Sequence, residues 1–389
     1  MKCIVLSVHG LRPDCLGCYG NDWIDTPNLD RLASESVVFD QHLVGSPDLI
    51  GAHRVWRTGD TDLLQCLSAA GVETRLLGDS AYPPPDFMTE GFQKSRFVKG
   101  GPAPGARVEG VFHAALRAAA QAARRERVLL WIDLPSLLPP WQVRADFLDL
   151  YFPSEPEAGE DESETVRDDA PLVSWSEALP PVVAGDDEET LLRLRRTYAA
   201  VVSHFDAQLR PFLESLEEND AATPWLVAVT APFGLPLGDH GIAGMHRPWL
   251  HNELIHVPLV IRLPGAAEAG RRVLGLTQTI DLPVTLLEAF GVRIPTTTGR
   301  SLLSLCRGEV EMDRTEAIST VRATDAEEWA IHTSCWAFLL PVTVPPDDPH
   351  RGPQLYVKPE DRFEVNNVAQ HHVEVVEELE RTLREKMKG

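Results

Sequence analysis

No apolar stretch in this sequence reaches the ~20 residues a helix needs to cross a bilayer. No leader with a long apolar region and a small-residue cleavage site precedes its first core segment. Membrane partners are therefore not expected, and a cytoplasmic location is. Positive charge is also scarce: 36 Lys and Arg stand against 58 Asp and Glu, a formal net charge of −22. Such an acidic chain argues against nucleic acid or an anionic membrane surface, since both are polyanions. It repels sulfated or phosphorylated polymers wherever no local basic patch intervenes. Cysteine is sparse, and six in 389 residues make no disulfide framework. Cys15 and Cys18 have C-x-x-C spacing, but no second pair or His pair completes a zinc site. No internal repeat is visible. What remains is an ordinary globular composition, 43% hydrophobic and 24% charged, long enough for one large domain and a smaller one.

The organising stretch is the N-terminus. Lys2 to Val8, KCIVLSV, is a short apolar run with β-branched residues that stops at His9-Gly10, the signature of a buried strand giving way to a loop. Ligands of open α/β sheets bind beyond the carboxyl ends of strands, so chemistry is expected at residues 9 and 10. Downstream, Thr26 is placed to cap a helix with Pro27 in its first turn.

Leu11-Arg12-Pro13-Asp14, the turn Gly17-Cys18-Tyr19-Gly20-Asn21, and the run from Thr26 to Ala33, TPNLDRLA, together resemble the opening of the sulfatases of the alkaline-phosphatase superfamily. In that family two aspartates end the first strand; here the residues are His9 and Gly10. The family's next segment, a strand, a loop and a helix start of the form C-x-P-x-R ending in LLTG, carries a cysteine oxidised to formylglycine, whose hydrate is the nucleophile. Anchoring on Pro47 places Gly45 at the nucleophile position. Anchoring on Thr58-Gly59 instead places Leu49 there and His53 at the arginine. Both frames stay open, and neither supplies Cys or Ser at that position.

The resemblance continues along the chain. The buried run Arg127 to Asp133 precedes a turn with Leu138 where the family has a sulfate-contacting histidine. Tyr198, Val202 and Asp206 lie on a long amphipathic helix over 191–218, as in the family's Y-x-x-x-V-x-x-x-D. The strand Trp225 to Thr230 leads to Ala231-Pro232-Phe233-Gly234, where the family completes its metal site with an Asp-His or Asp-Asn pair. Gly238-Asp239-His240-Gly241 keeps a GDHG-like loop, and Met245 replaces the lysine of a GKHRPW-like segment that retains His246. Residues 251–265 and 278–291 match the family's loop, strand and helix. Residues 151–190 hold thirteen Asp or Glu and one Arg, and read as a solvated, partly disordered insertion.

The expected fold is α/β: a large, mostly parallel sheet flanked by helices over 1–312, with strands near 2–8, 127–133, 225–230 and 257–262. A small C-terminal α+β subdomain over 313–389 follows, with an antiparallel sheet from about residue 314. A hard calcium ion wants several oxygen ligands, and the resemblance places its ligands where this chain has His9, Gly10, Pro232 and Phe233. The family calcium site therefore reads as lost, and no cofactor is expected. The first reading is a sulfatase-fold protein without sulfatase activity, binding a small anionic ligand or a protein. The second is a sulfuric or phosphoric ester hydrolase with a rearranged site drawn from His53, Arg54, Asp239, His240 and His246. They belong to a histidine-rich set, with His9, Asp14, Asp48, His251 and His256, that would suit a transition metal or an anion if it converged on one mouth. The third is a purely structural subunit that pairs with an active relative in an oligomer.

Overall fold

The computed structural model describes residues 1–57, 61–80, 89–101, 103–152, 174–176, 179, 187–220, 224–244, 250–311, 313–323, 325–344 and 351–388. Its centre is β1 (Lys2–Val8), buried along its whole length. Among the described residues the main sheet has eight strands. They are β1, β2 (Val37–Leu43), β3 (Glu73–Asp79), β4 (Lys94–Val98), β5 (Val128–Leu134), β6 (Trp225–Thr230), β7 (Leu259–Arg262) and β8 (Arg271–Gln278), in the order β4-β3-β5-β1-β6-β7-β2-β8. β1 lies parallel between β5 and β6, which puts residues 2–8 and 225–230 side by side as expected. Only β7 runs against its neighbours, antiparallel to both β6 and β2.

Alternate residues of a strand face opposite sides, and β1 uses both. Ile4, Leu6 and Val8 join a core with α1 (Pro27–Ser34), α4 (Ala106–Ala122) and α5 (Glu188–Asp220). Cys3 and Val5 join another with α2 (Leu49–Arg57), α3 (Leu63–Ala69) and α6 (Asp281–Ala289). The stripe on α5 that places Leu194, Tyr198, Val202, Phe205, Leu209 and Phe212 under the sheet is the helical spacing seen in the sequence. Each such side chain contributes about 1.5–3 kcal/mol on burial.

Thr26 does not cap α1. Its hydroxyl accepts instead from Gly17 N–H at 3.0 Å. The first-turn amides of α1 are taken by Asp206 of α5, at 3.0 Å from Asn28 N and 2.7 Å from Leu29 N. A carboxylate supplied by a neighbouring helix replaces a local cap, because α1 packs directly on α5.

The small sheet contains β9 (Glu316–Arg322), β10 (Glu327–Thr333), β11 (Trp336–Thr343) and β12 (Gln354–Val357), all antiparallel. One face, with Ile331, Phe338 and Leu355, packs on Leu379 and Leu383 of α7 (Val373–Lys386). The other, with Ala317, Ala330, Ala337 and Leu339, lies on Leu43, Phe233, Leu254 and Ile255 of the large unit. Small residues there let the sheet approach closely.

Most of the acidic stretch 151–190 lies outside the described residues. Among its described residues Ser176 and Asp187 to Glu189 are exposed, while Tyr151 and Leu179 are each 5% exposed and Tyr151 shares a 2.6 Å hydrogen bond with Ser203. Tyr151 at the entry to the insertion and Trp175 within it are anchored on α5, the Trp175 N–H donating to Thr197 at 2.8 Å. All six cysteines are free. No described helix is long and apolar enough to cross a membrane.

Candidate functional site

At the carboxyl end of β1 the chain turns through Gly10, whose φ of 81° is a left-handed conformation natural to glycine. Gly10 N–H donates to the Phe233 carbonyl at 3.0 Å, and its own carbonyl accepts from the Tyr198 hydroxyl at 2.6 Å. A side chain at position 10 would meet Leu138 at 3.2 Å and Leu235 at 3.5 Å. Phe233, 2% exposed, belongs to the core beneath the small sheet, and its ring lies edge-on to His9 with centroids 5.6 Å apart. Pro232 is buried beside it.

His9 reaches across to β5, where its Nε2 lies 3.0 Å from Asp133 Oδ1. His53, on α2, places Nε2 3.5 Å from the other carboxylate oxygen. Burial alone would raise the Asp133 carboxyl, but His9, His53 and Arg57 hold it far below the ordinary carboxylate range. Burial drives His53 well below the usual imidazole value, against the attraction of Asp133. Arg57 stacks over Trp131 and Phe92, and burial lowers it to about 10.

The remaining sequence candidates divide between two other groups. Arg12 is clamped by Asp14 at 2.9 and 2.5 Å and by Asp239 at 2.7 Å, and Arg195 adds a 3.3 Å contact to Asp239. Burial would raise Asp239, yet these guanidinium groups hold it at about 2. Asp14, Asp239 and His256 share a cavity of about 230 Å³ with Arg362. His240 and His251 stack at 3.8 Å in the junction between the two sheets. His240 Nδ1 meets Glu253 at 2.7 Å, its Nε2 donates to the Glu364 carbonyl at 3.0 Å, and His251 Nδ1 meets the Glu364 carboxylate at 3.0 Å. Lys358 completes that buried network, 3.0 Å from Glu364. Burial opposes charging His240, but Glu253 and Glu364 raise it to about 9. Burial would raise Glu364, but His251, His332 and Lys358 hold it well below the usual carboxylate value.

The histidine-rich set thus meets no single mouth among the described residues. Asp48 bonds Ser46 at 2.7 Å and Gly51 N–H at 2.7 Å, bracing the start of α2. Arg54 is exposed, one position from the buried His53. Met245 and His246 lie outside the described residues. Gly45 sits on the loop before α2 with its carbonyl accepting from Thr320 N–H of β9 at 2.9 Å, while Leu49 opens the helix itself.

Sequence reasoning passed over Asp133, Glu253 and Glu364. Asp133 had a legible signal, a carboxylate ending a fully apolar strand. Glu364 had none, because only the fold brings it under His251.

Comparison with known proteins fixes the lineage. Residues 238–328 match the family model described as N-sulphoglucosamine sulphohydrolase, C-terminal. A multifunctional alkaline phosphatase superfamily protein of Trinickia caryophylli is 32% identical over 133 residues, 33% of this chain and 26% of that protein. Arylsulfatase K of Gallus gallus is 26% identical over 217 residues, 51% of this chain and 37% of that protein. The chain belongs to the sulfatase and alkaline-phosphatase superfamily. The superfamily's fold extends beyond those alignments: the crystal structure of phosphonate monoester hydrolase of Agrobacterium radiobacter superposes with a TM-score of 0.76 at 19% identity, covering 99% of this chain and 95% of that one. The sequence alignments span well under two thirds of these curated relatives, 26% and 37% of their lengths.

Proposed function

We propose that this superfamily member does not hydrolyse sulfate or phosphate esters and acts by binding a small anionic ligand or a protein partner. The carrying observation is the filling of the strand-end pocket. Calcium needs several oxygen ligands, and the residues at the matched positions offer one imidazole, His9, beside Gly10, Pro232 and Phe233. Those donors do not fit the ion. Phe233 and Leu138 line that space with apolar volume, and the small sheet covers it. At the helix start neither Gly45 nor Leu49 carries a nucleophilic atom. Removing one part of a catalytic unit already costs orders of magnitude in rate, and here the metal ligands and the nucleophile are replaced together.

A binding role is supported by a cavity of about 300 Å³ at the junction of the two sheets, within the size range of small-molecule sites. Arg272, Lys358, Arg362 and His332 line it against a single carboxylate, Asp40. A basic lining inside so acidic a chain favours a small anion over a polyanion.

The deciding experiment assays purified protein on aryl sulfates, aryl phosphates and a phosphonate monoester, with and without calcium, magnesium or manganese. Background rates are expected. Turnover of about 1 per second or more, in the range of ordinary enzymes, abolished by substituting His53 or His246, would replace this reading with the rearranged-site hydrolase.

A further inference from the structure

The trio His9, His53 and Asp133 carries an inference that goes beyond this reading and stands whether or not esters are turned over. Three separate elements converge there: the turn after β1, the inner face of α2 and the end of β5. The three residues are 3%, 1% and 8% exposed. One nitrogen of each imidazole and one carboxylate oxygen all lie within 4.8 Å of one another.

The spacing is that of a metal's donor shell. Two donors bound tetrahedrally to one zinc at about 2.0–2.1 Å lie about 3.3–3.4 Å apart. The two imidazole-to-carboxylate separations, 3.0 Å to one oxygen of Asp133 and 3.5 Å to the other, lie close to that value. Two imidazoles and one carboxylate suit zinc and its transition-metal neighbours and are poor for calcium.

The surrounding polar atoms point the same way. Buried polar groups are nearly always partnered, and each one left unpaired costs about 1–3 kcal/mol. Around Asp133 both nitrogens of His53 and Nδ1 of His9 make no hydrogen bond. Ser7 Oγ and Thr230 Oγ1 are unpaired as well. Ser7 pairs in parallel register with both Asp133 and Thr230, so the three side chains stand on one face at one level. These hydroxyls are within the same layer as the trio and can serve as supporting partners or as a fourth donor. The junction cluster of His240, His251 and Glu253 differs in this respect, since both nitrogens of His240, Nδ1 of His251 and the Glu253 carboxylate already hold protein hydrogen bonds. A metal there would have to break several of them, whereas in the trio it would displace only the bond between His9 and Asp133.

We propose that His9, His53 and Asp133 form a buried site for one zinc ion, with His53 and Asp133 outside the four positions matched to the superfamily's calcium ligands. Trp56 packs against His53 and Phe233 against His9, with ring centroids 5.8 and 5.6 Å apart, so the trio is walled from substrate. The ion is accordingly structural and is taken up as the chain folds. Binding has to outweigh the nearby positive charge of Arg57.

The test uses full-length protein produced in zinc-supplemented and, separately, cobalt-supplemented medium, purified without chelator and dialysed against metal-free buffer. Elemental analysis is expected to give about one ion per chain in wild-type and in His240→Gln. His53→Asn and the near-isosteric Asp133→Asn should lose the ion, with affinity down at least about a hundredfold, since loss of a mere supporting partner already costs 10–100-fold. The cobalt protein should show the intense visible absorption of a four- or five-coordinate ion, a readout that needs no variant to fold. Less than a tenth of an equivalent in wild-type, a weak octahedral cobalt spectrum, or equal loading of wild-type and folded Asp133→Asn would overturn the proposal and leave the trio as a hydrogen-bonded cluster.

Discussion

The ring of Phe233 meets the imidazole of His9 edge-on, with centroids 5.6 Å apart, at the ends of two strands that run side by side through the centre of the sheet. Gly10 N–H bonds the Phe233 carbonyl at 3.0 Å, so backbone and side chain close the same gap. The contact couples the large sheet to the small one, because Phe233 also belongs to the apolar layer that receives Ala317, Ala330 and Leu339.

Phe233→Ala is therefore expected to destabilise the protein by about 3–5 kcal/mol, as large-to-small changes of a buried aromatic do. Urea unfolding followed by tryptophan fluorescence measures it. A loss under about 1 kcal/mol, the level of an ordinary substitution, would mean that the ring is not part of a packed layer.

Gly10→Ala should cost about 1–3 kcal/mol, since a non-glycine residue is strained at positive φ and its Cβ would lie 3.2 Å from Leu138. Circular dichroism melts compare it with wild-type. A variant of equal or higher melting temperature would contradict the turn geometry.

The junction network gives a pH dependence with opposite signs on its two flanks. His240 is raised to about 9, so its contribution is complete below the unfolded value near 6.5 and is lost as pH rises through about 9. Glu364 is lowered, so its contribution is present above the unfolded value and is lost on acidification through its folded pKa. Stability measured by urea unfolding should fall between pH 7 and 9.5 in wild-type, and His240→Gln should flatten that fall. Parallel profiles in the two proteins would show that His240 carries no charge in the native state.

Asp206→Ala removes the acceptor for Asn28 N and Leu29 N and should cost about 1–2 kcal/mol, the range of a lost helix cap. Asp206→Asn keeps one acceptor oxygen and should lose less. Hydrogen exchange across residues 27–34 localises the effect: faster exchange confined to α1 is expected, and unchanged protection there would remove Asp206 from this role.

Much of the large sheet was legible because its strands advertise themselves. KCIVLSV and WLVAVT are continuous apolar runs that only a strand buried on both faces explains. The stripe on α5 was readable for the same reason, since one face of a helix repeats in the sequence. Thr26 misled, because its position before Pro27 is that of a cap while Asp206, far away in the chain, holds the amides. Local pattern carries no information about a partner supplied by another helix.

Composition, apolar periodicity and the LRPD and TPNLDRLA segments by themselves determined the α/β class, the positions of the main strands along the chain and the superfamily. They act through local conformation and the alternation of apolar residues, which need no knowledge of distant contacts. The grouping of the histidines was decided only in three dimensions. His9 and His53 come together around Asp133 because β1 and β5 are neighbours in the sheet and α2 folds over their ends. His240 and His251 are drawn to Glu364 because β12 and the turn after it dock on the large unit. A carboxylate's partners depend on which strand ends share a layer, and that is a property of the sheet order rather than of any segment of the chain.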